Sequence, residues 1–330
     1  MKSSVYIFSA GKLAKKDNSL VFSNEEGKKH IPIEGIKEIF IFGELNINKR
    51  LLEFLTKKQI IMIFYNHYGY YTGTYYPREH YNAGYMILKQ AETYLNNQER
   101  LYLAKQFVTG ACKNCLKILN YYFRREKKLE AIIKTIKDYL EKIEEQNAIE
   151  KIMAFEGQTK KEYYKSFNII IKNEDFHFSS RSRRPPRDNI NALISFGNSL
   201  IYNYSLAEIY KTHLDPRIGF LHSSNFRSFS LNLDIAEVFK PVIADRSIFH
   251  LVNKNIITVK DFEKNTGGVF LNEKGRKKFI EKIEERLKQT IKHAKLDKNV
   301  SYRRLMRMEL YKIEKHLIGE KKYSPFVMDW

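Results

Sequence analysis

Residues 114–167 read NCLKILNYYFRREKKLEAIIKTIKDYLEKIEEQNAIEKIMAFEGQTKKEYYKSF, with apolar residues returning every three or four positions among lysines and glutamates. A period near 3.6 gathers the apolar residues into one stripe of an α-helix and leaves the charges on the opposite side. The same period holds from about residue 91 onward. Turn chemistry interrupts it at residues 184–191 (RPPRDNIN), 215–219 (DPRIG) and 265–268 (NTGG), which predicts about eight helices in one bundle. Upstream the period changes to two. SSVYIFS, NSLVFS, KHIPI, KEIFIFG, IIMIFYN and YYTGTYY are short β-branched and aromatic runs separated by Gly, Asn, Asp or Pro. Among them INKRLLEFLTKKQ has helical spacing and predicts one short helix. Apolar residues on both faces of IFIF and IIMIF imply burial on both sides, or a face given to a partner. The expected fold is α+β: a small β-rich domain over residues 1–85, followed by a larger all-α domain over residues 86–330.

A chain of 330 residues with 43% hydrophobic content can bury sizeable cores without staples. Its 58 Lys+Arg outnumber 38 Asp+Glu and leave a net charge of +20, so a polyanion such as DNA is the expected partner. An AT-rich or heat-adapted genome would also enrich lysine, but glutamate rises with it in such proteomes, and here the acids fall well short. No apolar run approaches the roughly 20 residues that span a bilayer, and MKSSVYIFSAGKL turns polar too early for a secretory signal. A cytoplasmic protein with no membrane partner is expected. Cys112 and Cys115 form a single C-x-x-C on an amphipathic helix. Zinc needs two further ligands, so two core-facing thiols one turn apart are the better reading.

Three segments place metal-ligand types beside small or apolar neighbours: MAFEGQ, GFLHSS and LNLDIAEVFKP. Glu156 precedes Gly157, which would leave room for another backbone to approach. Taken alone, a helix Glu paired with a nearby Lys fits that segment better. His222 follows a turn and an apolar stretch, where a hydrogen-bonded core histidine is the commoner occupant. Asp234 and Glu237 lie three apart in an apolar helical segment, so both acids project to one face among Leu231, Leu233, Ile235 and Phe239. Two inward acids repel unless a cation lies between them. A Lys or Arg would serve, as would a divalent ion shared with Glu156 and His222. A His with carboxylates suits Mg²⁺ or Mn²⁺, and such an ion supplies what phosphodiester cleavage or transfer needs.

Two basic elements could hold DNA. Arg181, Arg183, Arg184 and Arg187 surround a Pro-Pro bend that reads as an exposed loop. Arg303, Arg304 and Arg307 share roughly one side of a C-terminal helix, where phosphate contact and a merely solvated face are equally good readings. Some of the 22 tyrosines could stack on unpaired bases, although most belong to core or interface.

The ordered set E-G (residues 156–157), R-P-P-x-D-x-x-N-A-L-x-S-F-G (184–197), G-F-L-H (219–222) and L-x-L-D-h-x-E-x-F-K-P (231–241) resembles the CRISPR-associated integrase family, the larger subunit of the spacer-acquisition complex. The resemblance spans essentially the whole chain. It implies that Glu156, His222 and Glu237 ligate Mg²⁺ or Mn²⁺, with Asp234 as a supporting or alternative acid. It further implies a homodimer formed through the β domains and docked on a small ferredoxin-like acquisition protein. The implied activity joins the 3′-hydroxyl ends of short DNA fragments to repeat DNA and cuts DNA at the same site. Two positions depart from the family pattern: Asn189 stands where relatives often have Pro, and Ser223 where many have an acid. A stand-alone metal-dependent nuclease and a non-catalytic nucleic-acid scaffold are the competing readings.

Overall fold

The computed structural model describes residues 3–78, 81, 83–125, 127–222, 229–265, 267–293 and 296–329. The expectation for Ser223 falls outside them. The chain divides into two compact units, Met1–Tyr81 and Asn82–Trp330.

The first unit runs β1 Ser3–Ile7, β2 Gly11–Lys16, β3 Ser19–Asn24, β4 Gly27–Pro32, β5 Ile36–Ile41, β6 Leu45–Asn46, α1 Lys49–Lys58, β7 Ile61–Tyr65 and β8 Tyr71–Tyr75. They form two four-stranded sheets, ordered β1-β5-β7-β8 and β4-β3-β2-β6. In the first sheet β1, β5 and β7 are parallel and β8 returns antiparallel. The alternation in β5 explains its two-sided apolar sequence. Ile39 and Ile41 join Ile7, Leu13, Leu20, Leu51, Leu55 and Met62 in one core. Phe40 belongs to an aromatic layer in which Tyr6–Phe40, Phe8–Phe42 and Phe42–Tyr65 stack with centroids 5.0, 4.9 and 4.5 Å apart. Helix α1 begins at Asn48, whose side chain accepts from Leu51 N at 3.0 Å, and ends at Gln59 in the left-handed conformation. Strand β2 (GKLAKK) has only Leu13 buried and carries no β-branched or aromatic residue, so nothing in its composition announces a strand.

The second unit comprises α2 Gly84–Leu95, α3 Asn97–Phe123, α4 Glu130–Glu145, α5 Ile149–Lys165, α6 Phe167–Ile170, α7 Asn189–Ile209, α8 Leu231–Lys240, α9 Arg246–Asn253, β9 Phe262–Asn265, β10 Gly268–Leu271, α10 Glu273–Lys288, β11 Thr290–His293, β12 Lys298–Ser301 and α11 Tyr302–Leu317. The expected count of eight helices becomes ten among the described residues, and two β-ribbons interrupt the helical unit. One of them is built on the NTGG turn.

Helix α8 packs against both α3 and α7. Helix α7 is buried around almost its whole circumference, as its nearly unbroken apolar sequence requires. Its start explains the R-P-P-x-D-x-x-N motif. Asp188 accepts from Asn191 N at 2.7 Å as the N-cap, while the Asn191 amide donates to Ser180 O and accepts from Ser182 N, tying the preceding loop to the helix. Helix α8 continues through a π-helical turn at Pro241–Asp245 into α9; the proline has no N–H to donate to the ordinary ladder there.

Candidate metal centre

Asp234 and Glu237 occupy one face of α8 and are buried to 0% and 2% exposure, yet they serve different partners. Asp234 Oδ2 accepts from Phe220 N at 2.6 Å and Leu221 N at 3.1 Å, and its Oδ1 accepts from His222 N at 3.0 Å. His222 Nδ1 lies 2.8 Å from the same Oδ1, placed to donate to it. One carboxylate therefore shapes the G-F-L-H turn and sets the imidazole tautomer that leaves Nε2 available. Gly219 is required beside it, because a Cβ there would lie 2.9 Å from Asp234 Oδ2 and 2.8 Å from Ser230 C. Asp234, expected as a supporting or alternative ligand, has its oxygens committed to these donors and orients the histidine instead.

Glu237 faces two lysines. Its Oε1 accepts from Lys240 Nζ at 2.6 Å, and its Oε2 contacts Lys160 Nζ. Lys160 also contacts Glu156 Oε1, one turn away on α5. Burial pushes the Glu237 carboxyl up, but Lys160, Lys240 and then His222 outweigh it and hold the group well below the ordinary carboxylate range. Lys240 is held in turn by Tyr202, whose hydroxyl lies 2.6 Å from Nζ and whose ring faces the ammonium. A cavity of about 20 Å³ adjoins the cluster, lined among others by Cys112, Cys115, Thr159, Tyr163 and Asp245. Burial pushes Asp245 up to about 7 and the Cys112 thiol up to about 12, so both cysteines behave as core residues.

The three expected ligands come together in part. Glu156 and Glu237, far apart in sequence, meet on one ammonium; His222 is hydrogen-bonded to Asp234, one turn from Glu237 on α8. No three of His, Cys, Asp and Glu form a ready-made ligand group among the described residues. The donor set still suits a hard divalent cation. Glu156 Oε1 and Glu237 Oε2 are buried, have no hydrogen-bond partner besides the Lys160 ammonium and point at the one position it holds with positive charge. The close-approach explanation of Gly157 is corrected, since among the described residues nothing beyond its chain neighbours and its own helix backbone lies within 4 Å of where its Cβ would stand.

The basic elements divide. Arg183, Arg184 and Arg187 are exposed on the loop before α7. Arg181 is turned inward, donating to Asn191 Oδ1 at 2.8 Å and Ser195 Oγ at 3.0 Å, so it fastens the loop instead of extending from it. On α11 the expectation of a DNA-facing row is corrected. Arg303 is 7% exposed and paired with Glu208 of α7, and Arg307 Nε donates to Glu208 Oε2 at 2.6 Å. Only Arg304 of the three is exposed.

Sequence reasoning expected a nearby lysine beside Glu156, which the structure gives as Lys160, but it named neither that residue nor Lys240 nor Tyr202. The spacings Glu156 to Lys160 and Glu237 to Lys240 were visible as i,i+4 and i,i+3 pairs. The bridge from Lys160 to Glu237 had no local signal.

A family model described as CRISPR associated protein Cas1 matches residues 5–285. The chain is 55% identical, over the full length of both, to CRISPR-associated endonuclease Cas1 2 of Thermodesulfovibrio yellowstonii. It is similar in structure to a Cas1 protein from Thermotoga maritima, with TM-score 0.90 and 44% identity over 98% of this chain and 99% of the other. A casposase bound to integration product shares the fold at TM-score 0.87 and 20% identity, covering 99% and 93% of the two chains.

Proposed function

The chain belongs to the CRISPR-associated Cas1 family, and we propose from that premise that it is a divalent-metal-dependent integrase and endonuclease of spacer acquisition. It joins the 3′-hydroxyl ends of short DNA fragments to repeat DNA by transesterification. The observation that carries the reading is the convergence of Glu156 and Glu237 on a single cation position, with His222 oriented by Asp234 one turn from Glu237 on α8. Glu156, Glu237 and the free Nε2 of His222 would hold Mg²⁺ or Mn²⁺. Bound there, the ion supplies Lewis acidity that polarises the target phosphate and lowers the pKa of the attacking hydroxyl or water.

The protein's own groups prepare that chemistry. Asp234 keeps the Nδ1 proton of His222 in place, so Nε2 remains a lone-pair donor. Lys240 and Tyr202 fix Glu237 through its other oxygen. Cys112, Cys115 and Tyr163 line the inner wall and leave room for little more than one water, which strengthens charge interactions at the site. The exposed Arg183, Arg184 and Arg187 supply phosphate contacts. The apolar β domain serves homodimer formation, and a small ferredoxin-like protein is the proposed assembly partner; both rest on the family resemblance.

The test incubates the protein with that partner, a fragment bearing free 3′ ends and a plasmid carrying leader and repeat. Joined products confined to the repeat boundaries, requiring Mg²⁺ or Mn²⁺ and abolished by Glu156→Ala with DNA affinity retained, are expected. Cleavage without joining, or transfer unaffected by Glu156→Ala, refutes the assignment.

A further inference from the structure

Lys160 is the unassigned member of the cluster. Its ammonium contacts both Glu156 Oε1 and Glu237 Oε2, and neither oxygen has a hydrogen bond from any other group. An ion ligated by the same two oxygens would stand roughly 2.0–2.2 Å from each, in the space the ammonium now fills. The adjoining cavity of about 20 Å³ has room for little more than one water, so it cannot receive a seated lysine head beside a divalent ion. Like charge adds to the conflict. Lys240 does not compete in this way, because it bonds the opposite oxygen of Glu237 and is anchored by Tyr202.

We infer that Lys160 is a built-in counter-cation whose ammonium and the divalent ion take turns at one position between Glu156 and Glu237. The inference rests on the metal-site reading above. In the metal-free protein the lysine neutralises two buried acids that would otherwise repel, keeping the ligand pair assembled. On ion entry it swings out on its flexible four-carbon stem, and a side chain 22% exposed has a way to solvent. The arrangement lowers apparent metal affinity: an ammonium seated nine times in ten weakens it about tenfold.

The experiment titrates Mn²⁺ into the full chain and counts free ion by electron paramagnetic resonance. The parent should show a site that Glu156→Ala removes, and Lys160→Met should bind Mn²⁺ at least about tenfold more tightly than the parent. Affinity that is unchanged or weaker in Lys160→Met overturns the role of Lys160 while leaving the metal site standing. A parent with no Glu156-dependent site sinks the metal reading itself. A structure of the parent soaked in Mn²⁺ needs no variant and decides the matter even where Lys160→Met does not fold. Nζ withdrawn from both carboxylates supports the exchange, and Nζ still lodged between them with Mn²⁺ bound overturns it.

Discussion

Asp234 and Glu237 show how two like residues three positions apart acquire different work. Their inward direction was legible from the apolar residues around them, but their roles were not. Asp234 is defined by backbone donors at residues 220–222 and Glu237 by lysines on two helices. Asp234→Asn keeps the volume but replaces an acceptor oxygen by a donor facing N–H groups. A urea melt should show a loss of roughly 3 kcal/mol, and strand transfer should fall about 10- to 100-fold as His222 loses its orientation. Glu208 makes a second residue-scale case. Burial pushes its carboxyl up, yet Arg303, Lys211 and Arg307 outweigh this and hold it well below the usual range. A depressed folded-state pKa contributes stability that is present above the unfolded value and lost as pH falls toward the folded one. Glu208→Gln should therefore cost about 3–5 kcal/mol at pH 7, because Arg303 is left buried without its charge partner. The gap between variant and parent should narrow as pH drops below roughly 4, measured by chemical denaturation across pH.

At the scale of elements, what places Glu237 is the way α3 grips α8. Asn114 of α3 donates to Val238 O at 2.9 Å and Phe326 O at 3.0 Å and accepts from Met328 N at 2.8 Å, joining two helices and the C-terminal segment through one buried amide. Asn114→Ala strands those three backbone groups, each costing about 1–3 kcal/mol when unsatisfied, so a loss of roughly 3 kcal/mol or more in a denaturant melt is expected. Long helices such as α3 and α5 were readable because an amphipathic stripe repeats over several turns. The ribbons β9–β10 and β11–β12 were not, since four-residue strands are too short to show a period. Strand β2 escaped for a related reason, with a single buried leucine among lysines. Helix α11 misled in the other direction: its arginines were visible, but the acid that draws two of them inward belongs to α7.

For the molecule as a whole, the excess of 20 positive charges makes association with a polyanion strongly salt-dependent. Replacing Arg183 and Arg184 by Ala should lower the slope of log affinity against log salt by about one unit for each lost phosphate contact. Arg303→Ala should do the opposite, reducing stability and leaving the slope unchanged, because that guanidinium is spent on Glu208. Fluorescence anisotropy at several salt concentrations, paired with thermal melts, separates the two. The sequence by itself determined the α+β division, the basic character and the three segments that carry Glu156, His222 and Glu237, because hydrophobic period, net charge and motif order are properties of the chain read in line. Tertiary structure alone decided which acid meets which cation. Lys160 reaches a carboxylate 77 positions away (237 − 160), and only the packing of helices α5 and α8 brings such partners within the few ångströms over which charges act strongly.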